Sequence, residues 1–307
     1  MGALVVAAFL NIEYAAAGPT YTVMTGGDGL NCSAGGEGLP PNQTSATPGV
    51  TISHSDSNGS EFESWFAQAN QTSLRTRTRA FNGGYNESPA RSCASAAAIF
   101  TIDDLIFTTS THSVVDVSLS LHYDGTLSAG TTGGNSGSSA RFYNLASLNG
   151  QNDQSGNTSG LGLLNQSNGG IFQLNCGIAG CTDEDGAVLA ASAASSATRA
   201  INTILTHTWT NIPVNTLVSL TVGIESLSTV IKNFNDGGFG ESAFHNTVTF
   251  ANPNAVFGLA EGVTANSGQL GLSDNSLGSV TIFEPGVVGL FGLSLALLAI
   301  ARRRASV

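Results

Sequence analysis

Strict alternation of apolar and polar residues constrains this chain more than any other feature of its sequence. It is clearest in one short segment, Val115-Asp116-Val117-Ser118-Leu119-Ser120-Leu121-His122-Tyr123. Successive side chains of a β-strand point to opposite faces of the sheet, so this pattern predicts a strand with one buried and one solvated face. Asp124-Gly125 is a common turn dipeptide and predicts a turn directly after the strand.

Less regular patterns predict further strands. They are marked by Leu217, Leu220, Val222 and Ile224, by Phe244, Val248 and Phe250, and by residues 98–107, 140–148 and 171–174. Helical signals are few: residues 187–205 are rich in Ala, although their Ser and Thr also suit a strand, and residues 61–71 predict one or two amphipathic turns. Many short strands joined by Gly- and Asn-rich loops predict an all-β fold, either an antiparallel β-sandwich or a jelly-roll-like body.

The charge balance is strongly acidic. The 307 residues include 10 Lys and Arg against 21 Asp and Glu, which gives a net charge of −11. Three of the basic residues are Arg302, Arg303 and Arg304 near the C-terminus, so the rest of the chain is more acidic still. Such a chain repels phosphate backbones, which argues against nucleic-acid binding.

Four cysteines are present: Cys32, Cys93, Cys176 and Cys181. An even number is typical of a disulfide-bonded protein of an oxidising compartment. Cys176 and Cys181 are close enough in sequence to close a small turn, which leaves Cys32 with Cys93, although four cysteines allow three pairings. A zinc site is the alternative, but the C-x₄-C spacing is looser than in most zinc knuckles and no histidine lies close by in the sequence.

The N-terminus has the pattern of a secretory signal peptide. The apolar residues 3–10 lead to Ala15-Ala16-Ala17-Gly18, which is similar to a signal-peptidase cleavage site. We therefore expect residues 1–17 to be a signal peptide. No Lys or Arg precedes the apolar run. A longer true leader, with its start upstream of Met1, would explain why the basic residues are missing. The alternative is a buried N-terminal segment.

The C-terminus has the pattern of a membrane anchor. Phe283-Glu284-Pro285 is followed by the uncharged residues 286–301 and then by the three arginines. A helix over 286–301 is about 24 Å long, somewhat short of a hydrocarbon core of about 30 Å, and snorkelling arginines make up the difference. Because cationic residues stay cytoplasmic, the sequence predicts a transmembrane helix over 286–301 with the body outside.

This tail resembles the PEP-CTERM sorting signal of Gram-negative bacteria, a tail also labelled as a C-terminal domain of ice-binding proteins. The family's Pro-Glu-Pro box corresponds to Phe283, Glu284 and Pro285, with phenylalanine in place of the first proline, and its arginine cluster corresponds to Arg302, Arg303 and Arg304. The resemblance implies an exosortase-type enzyme as partner, a transient stay in the inner membrane, and delivery to the cell envelope or extracellular matrix, where exopolysaccharide is a further partner. The chain then divides into a signal peptide (1–17), a secreted β-rich domain (18–280) and a sorting tail (281–307).

The body carries no recognisable catalytic motif. Its histidines are His54, His112, His122, His207 and His245, and they match no zinc-hydrolase or deaminase spacing. No G-x-S-x-G elbow is present either. His112 and His122 occupy polar positions and are expected to face solvent. We therefore predict no catalytic residue and no cofactor.

Two acidic loops suggest a structural calcium ion as an alternative to ordinary solvated turns. They are Asp183-Glu184-Asp185-Gly186 and the segment from Asp56 to Glu61, both of which place oxygen ligands close together in sequence. Neither matches the complete EF-hand loop. Calcium would therefore serve structure and not catalysis.

The sequence favours a non-enzymatic protein of the cell surface or extracellular matrix, anchored and sorted through its tail. The alternative is a secreted carbohydrate-binding module or hydrolase whose site is assembled from distant loops. Trp65, Trp209 and Tyr123 are the candidates for stacking on sugars, although aromatic residues in strands more often pack in the core. Flat faces covered by Ser and Thr would favour the first hypothesis, and convergent carboxylates in a concave pocket the second.

Overall fold

The computed structural model describes residues 18–26, 43–58, 61–83, 90–133, 136–155, 172–192, 195–232 and 236–278. These residues form β-strands, turns and loops without any helix. The predicted signal peptide, Cys32 and the whole sorting tail lie outside the described residues. Among the residues that are described, no helix is long and apolar enough to span a membrane.

The strands vary in length from two residues to 19 residues. In chain order they are β1 (Thr20–Gly26), β2 (Gln43–Ser45), β3 (Val50–Asn58), β4 (Glu61–Ala69), β5 (Ser73–Asn82), β6 (Ala90–Thr108), β7 (Val114–Thr131), β8 (Gly137–Leu148), β9 (Gln151–Asn152), β10 (Phe172–Gly177), β11 (Gly180–Asp183), β12 (Val188–Ala190), β13 (Ser196–Pro213), β14 (Leu217–Lys232), β15 (Gly238–Phe250), β16 (Phe257–Gly258), β17 (Thr264–Asn266), β18 (Leu272–Ser273) and β19 (Ser276–Leu277).

The strands form two large antiparallel sheets that pack face to face. The larger sheet has the order β12-β11-β10-β8-β14-β6-β1-β2, with β9 against β8 and β17 against β6. The smaller sheet has the order β13-β7-β15-β5-β4-β3, with β16 against β7. Strands β5 and β15 of the smaller sheet pack on β6 and β14 of the larger one. The predicted all-β antiparallel fold is therefore confirmed.

Strand β7 confirms the alternating segment but runs beyond its predicted end. Val115, Val117, Leu119, Leu121 and Tyr123 are all buried, as predicted. The predicted turn at Asp124-Gly125 is wrong, because β7 continues to residue 131. Gly125 is needed there for space: a Cβ atom at this position would lie 2.6 Å from Cδ1 of Phe244. The glycine thus lets a ring of β15 lie directly on the strand.

The two helical candidates are also wrong, since both segments are strands. Residues 61–69 form β4, in which Trp65, Ala67 and Ala69 alternate inward. Residues 187–205 contain β12 and the first half of β13. In both segments Ala, Ser and Thr occupy positions where large apolar residues would have marked the alternation, so the period of two was hidden.

Hydroxyl groups link the two sheets inside the core. The Thr76 and Ser226 hydroxyls share a hydrogen bond of 2.8 Å, and so do those of Thr78 and Ser228. All four side chains are completely buried. A second region of the core is aromatic, where the rings of Phe142 and Phe244 stack from opposite sheets. The sandwich is therefore packed by small polar residues in one region and by aromatic residues in another.

The predicted hairpin disulfide is present. Cys176 and Cys181 are bonded to each other across β10 and β11, with their Cα atoms 4.0 Å apart. Cys93 is also disulfide-bonded. Its predicted partner, Cys32, lies outside the described residues. The disulfide prediction over the zinc site is thus confirmed for Cys176 and Cys181.

Candidate functional site

The aromatic residues considered for sugar stacking are not available at the surface. Tyr123 and Trp209 are fully buried, and Trp65 is 5% exposed. Trp209 donates a hydrogen bond from Nε1 to the carbonyl of Gln151, and Tyr123 packs edge-on against Phe142. The core-packing interpretation of these three residues is therefore confirmed, and the stacking interpretation is wrong.

The first acidic loop uses its carboxylates within the fold. Oδ1 of Asp183 accepts hydrogen bonds from the backbone N–H groups of Asp185 and Ala187, which closes the turn. Glu184 forms an ion pair with Arg199 of β13. The second segment, from Asp56 to Glu61, lies only partly within the described residues. In the part of the chain that is described, no three metal-ligating side chains converge.

Three of the histidines occupy ordinary positions. His112 is exposed, and Nε2 of His122 lies 2.8 Å from Oδ1 of Asn202 on the outer face of the smaller sheet. The His54 ring lies beside that of Trp65. The side chain of His245 is outside the described part. His207 differs from these, because it is completely buried.

His207 is the centre of a buried polar network that the sequence did not predict. Its Nδ1 lies 3.0 Å from Oδ2 of Asp153, and both side chains are fully shielded from solvent. Its Nε2 lies 3.2 Å from the Tyr123 hydroxyl, which accepts a hydrogen bond of 2.8 Å from the Asn144 amide. Four polar side chains, Asn144, Tyr123, His207 and Asp153, therefore form one continuous chain, which we call the buried network.

Local hydrogen bonds determine the protonation of the acidic end. Burial alone would raise the pKa of the Asp153 carboxyl, but hydrogen bonds from Ser155, Thr208 and His207 outweigh that effect and lower the pKa to about 2. The carboxylate is thus ionised at neutral pH and only accepts hydrogen bonds. Nδ1 of His207 must then be the donor toward Asp153.

The other members of the network stay neutral. Burial lowers the pKa of His207, and the Asp153 carboxylate opposes that effect only in part. Burial also raises the pKa of the Tyr123 phenol. A neutral His207 that donates from Nδ1 has a free lone pair on Nε2, and the Tyr123 hydroxyl donates to it. Every hydrogen bond of the chain then runs in one direction, from Asn144 to Asp153.

The buried network joins both sheets and one connection. Asn144 belongs to β8 of the larger sheet, whereas Tyr123 and His207 belong to β7 and β13 of the smaller one. Asp153 follows the short strand β9, which turns back from β8 through Asn149 and Gly150. Both turn residues have positive φ, 52° and 74°, as a two-residue hairpin requires.

The same connection covers part of the edge strand β13. The backbone N–H of Gln154 donates to the Thr208 carbonyl, and the N–H of Thr208 donates to Oδ1 of Asp153. The Asp153 side chain thus replaces a neighbouring strand at this position. An exposed edge strand invites pairing with other chains, and this arrangement satisfies the edge locally.

The buried network contains the residue types of a proton relay. Its position, however, fits a structural role, in which it ties the two sheets and the connection after β9 together. A general base must come within hydrogen-bond distance of a substrate. The side chains of His207, Tyr123 and Asn144 are buried, so no substrate can approach His207 in this structure. One signal in the sequence could have located the buried network. His207 is two positions from Trp209 in the strand and therefore lies on the same inward face, and a buried histidine needs a hydrogen-bond partner.

A second candidate surface is the outer face of the smaller sheet along β7 and β13, which we call the hydroxyl face. Ser120 and Thr206 share a cross-strand hydrogen bond of 2.8 Å, and Ser128 and Thr198 one of 3.0 Å. These hydroxyls pair with one another and leave an extended polar face. Ile204 is 56% exposed on the same face. Because β7 and β13 are paired along their length, these hydroxyl pairs lie side by side on one face of a continuous sheet.

The described cavity between the sheets offers no alternative. It measures about 10 Å³ and is lined mainly by apolar side chains, Leu74, Phe100, Leu121, Val222, Val248 and Phe250, together with Thr72 and Thr249. Comparison with protein-family models, curated proteins and solved structures finds no match for this chain. Its function must therefore be argued from its own residues.

Proposed function

We propose that this chain is a non-enzymatic protein of the bacterial cell surface or extracellular matrix, exported and then anchored through its C-terminal tail. The observation that carries the proposal is the hydroxyl face. Cross-strand pairs of Ser and Thr side chains, such as Ser120 with Thr206, make that face of the smaller sheet an extended polar surface. Such a face suits broad contact with hydrated polymers better than it suits the enclosure of a small substrate.

The chemistry of the buried network supports the non-enzymatic part of the proposal. Asp153 and His207 are the titratable pair closest to a catalytic arrangement among the described residues, and both side chains have no solvent exposure. Their hydrogen bonds connect structural elements, as those of a core network do. Stability is therefore the role that this pair best fits.

Export is supported by the disulfide between Cys176 and Cys181. Cytosolic thiols are kept reduced, whereas disulfides persist in the periplasm and outside the cell. The predicted signal peptide and the PEP-CTERM-like tail supply the route and the address. Phe283, Glu284 and Pro285 would be read by an exosortase-type enzyme, and Arg302, Arg303 and Arg304 would hold the tail in the inner membrane.

The alternative is a secreted carbohydrate-binding module. Burial of Trp65, Trp209 and Tyr123 weighs against a sugar-stacking site formed by these three residues. What keeps the alternative open is a different surface, on β5, where Arg79 and Phe81 are exposed.

Deletion of residues 283–307 tests the anchoring. The truncated protein should appear in the soluble envelope or culture fraction, whereas the full chain stays with membranes until it is processed. Replacement of Arg302, Arg303 and Arg304 by glutamine should weaken retention, because the arginines fix topology and extend a short helix. The measurement is cell fractionation combined with the apparent size of the protein.

A second pair of variants separates anchoring from sorting. Glu284→Ala and Pro285→Ala should insert in the membrane normally and remain at full size if a sorting enzyme reads this box. Ser279→Ala, just outside the box, is the matched control and should be processed like the wild type. A truncated protein that stays with the membrane would refute the proposed anchor, and normal processing of both box variants would refute recognition of the box.

A further inference from the structure

Strand β5 places three arginines in a row on one exposed sheet face. Its sequence is Ser-Leu-Arg-Thr-Arg-Thr-Arg-Ala-Phe-Asn, and Leu74, Thr76 and Thr78 point into the core. Arg75, Arg77 and Arg79 therefore all point outward, about 6.7 Å apart along the strand. The whole chain has 10 basic residues and a net charge of −11, so three cations in one line are a marked local reversal of charge.

Only one of these arginines is neutralised by a carboxylate among the described residues. Arg77 donates from both Nε and Nη2 to Oε1 of Glu241 on β15, at 2.9 and 2.6 Å. The Arg79 guanidinium lies over the ring of Phe62, 5.9 Å from its centroid. Nε of Arg75 is shielded from solvent and has no hydrogen-bond partner in the described part of the chain. Glu241 is opposite Arg79 in the register of β15 and β5, but its Oε1 bonds to Arg77, so neither Arg75 nor Arg79 forms an ion pair among the described residues.

Aromatic side chains flank the arginines on the same face. In the register of β4 and β5, Phe66 lies opposite Arg77, and Phe62 lies opposite Phe81. Phe81 is 40% exposed. We call this set, Arg75, Arg77, Arg79, Phe62, Phe66 and Phe81, the arginine row. It combines fork-shaped donors with the exposed ring of Phe81 and the half-buried rings of Phe62 and Phe66 on one face of the sheet.

We infer that the arginine row binds a carboxylated polysaccharide, a polymer of uronic acids. Guanidinium groups bind carboxylates through two parallel hydrogen bonds, which a lysine cannot do. Aromatic rings contribute by packing against the apolar faces of sugar rings. An extended polymer with one carboxylate on each sugar can contact several arginines of a straight row at once, whereas a free small anion would contact only one. The inference rests on the proposed function, because such polymers occur outside the cell.

Charge density argues for this polymer over nucleic acid. Double-stranded DNA carries one charge per about 1.7 Å, and proteins that bind it well typically contact about 6–10 phosphates. The arginine row offers three cations, one of them already paired with Glu241, on a protein of net charge −11. The repulsion of the rest of the chain grows with the charge of the polymer, so a more weakly charged polyuronate is the better match.

The test is the retention of the purified full-length protein on immobilised polygalacturonate at low salt. The double variant Arg75→Gln with Arg79→Gln should lose about tenfold in affinity for each arginine removed. The double variant Arg75→Lys with Arg79→Lys keeps the charge but loses the fork-shaped donors. Its affinity should lie between those of the wild type and the glutamine double variant. Lys232→Gln, at the end of β14 in the other sheet, removes one positive charge elsewhere and should bind like the wild type. Thermal unfolding of each variant verifies that the fold is intact.

Each outcome decides the inference. Wild-type retention that weakens with the glutamine pair and with added salt supports it. No retention of the wild type, equal retention on neutral dextran, or equal affinity for a DNA duplex would each overturn it. Fractionation of the same variants keeps the two proposals apart, because the glutamine pair should still be exported and anchored. Loss of polyuronate binding with normal anchoring therefore leaves the proposed function intact.

Discussion

His207 and Asp153 share a hydrogen bond of 3.0 Å in the interior, although they are 54 positions apart in the sequence. The pair connects β13 to the connection that follows β9, and through Tyr123 and Asn144 it reaches the opposite sheet. Both partners titrate with a lowered pKa in the folded protein. The stability of the sandwich is thereby linked to pH.

We expect the protein to lose stability on acidification, in two steps of the same sign. An unfolded histidine takes up a proton below about pH 6.5, whereas the folded His207 resists it, so the unfolded state binds more protons. The free energy of unfolding should fall by up to about 1.4 kcal/mol between pH 7.5 and 5.5 from this residue alone. Asp153 adds a further loss as the pH falls from its unfolded pKa of about 3.9 toward 2.

Urea unfolding at pH 7.5 and 5.5 measures the first step. His207→Gln should be less stable than the wild type at pH 7.5, but the difference should shrink at pH 5.5 because the variant lacks the titrating group. His112→Gln removes an exposed histidine and should follow the wild type at both values. A constant difference between wild type and His207→Gln would contradict the linkage.

The fold was predictable where apolar residues mark one face of a strand. Strands β7, β14 and β15 carry Val, Leu, Ile and Phe on their inward faces, and their existence was predicted from that pattern. Strand β5 was not predicted, because its inward Thr76 and Thr78 are polar and bond to Ser226 and Ser228 across the core. A hydropathy pattern cannot indicate a face that is buried through hydroxyl pairs.

The candidate sites were less predictable than the fold. The parity of His207 is visible in the sequence, but its partner Asp153 lies in a loop, and no local rule places the two together. The arginine row cannot be predicted unless β5 is predicted first, because Arg75, Arg77 and Arg79 lie on one face only when the segment is a strand. The buried network depends on a loop that meets a distant strand, and the arginine row depends on the alternation within one strand, so residue type alone reveals neither site.

Gly125 should tolerate no side chain. A Cβ atom there would lie 2.6 Å from the Phe244 ring and 2.7 Å from the Ala243 carbonyl oxygen. Gly125→Ala should destabilise the protein by about 1–3 kcal/mol, as overpacking of a core usually does. Gly177→Ala is the control, since nothing lies within 4 Å of its added Cβ. Denaturant midpoints compare the two variants, and equal midpoints would show that Phe244 can move aside.

The hydroxyl bridges of the core should be unequal in their effects. Ser226 bonds both to Thr76 and to Ser242, so Ser226→Ala leaves two buried hydroxyls without that partner. We expect a loss of about 1–3 kcal/mol. Thr76→Val leaves Ser226 bonded to Ser242 and should cost less. Urea unfolding compares the two single variants. An equal loss of stability would contradict the geometry, in which Ser226 bonds to both Thr76 and Ser242.

The disulfide between Cys176 and Cys181 should stabilise the hairpin of β10 and β11 in exported protein. The two residues are five positions apart, and closing so short a loop in the unfolded chain is worth about 2 kcal/mol by loop entropy. Cys176→Ser with Cys181→Ser should lower the free energy of unfolding by about this amount. Non-reducing peptide mass mapping of protein recovered from outside the cytoplasm should find the two residues linked. Free thiols at both positions in that protein would contradict the pairing, and a double variant as stable as the wild type would show that the sheet holds this edge without the bond.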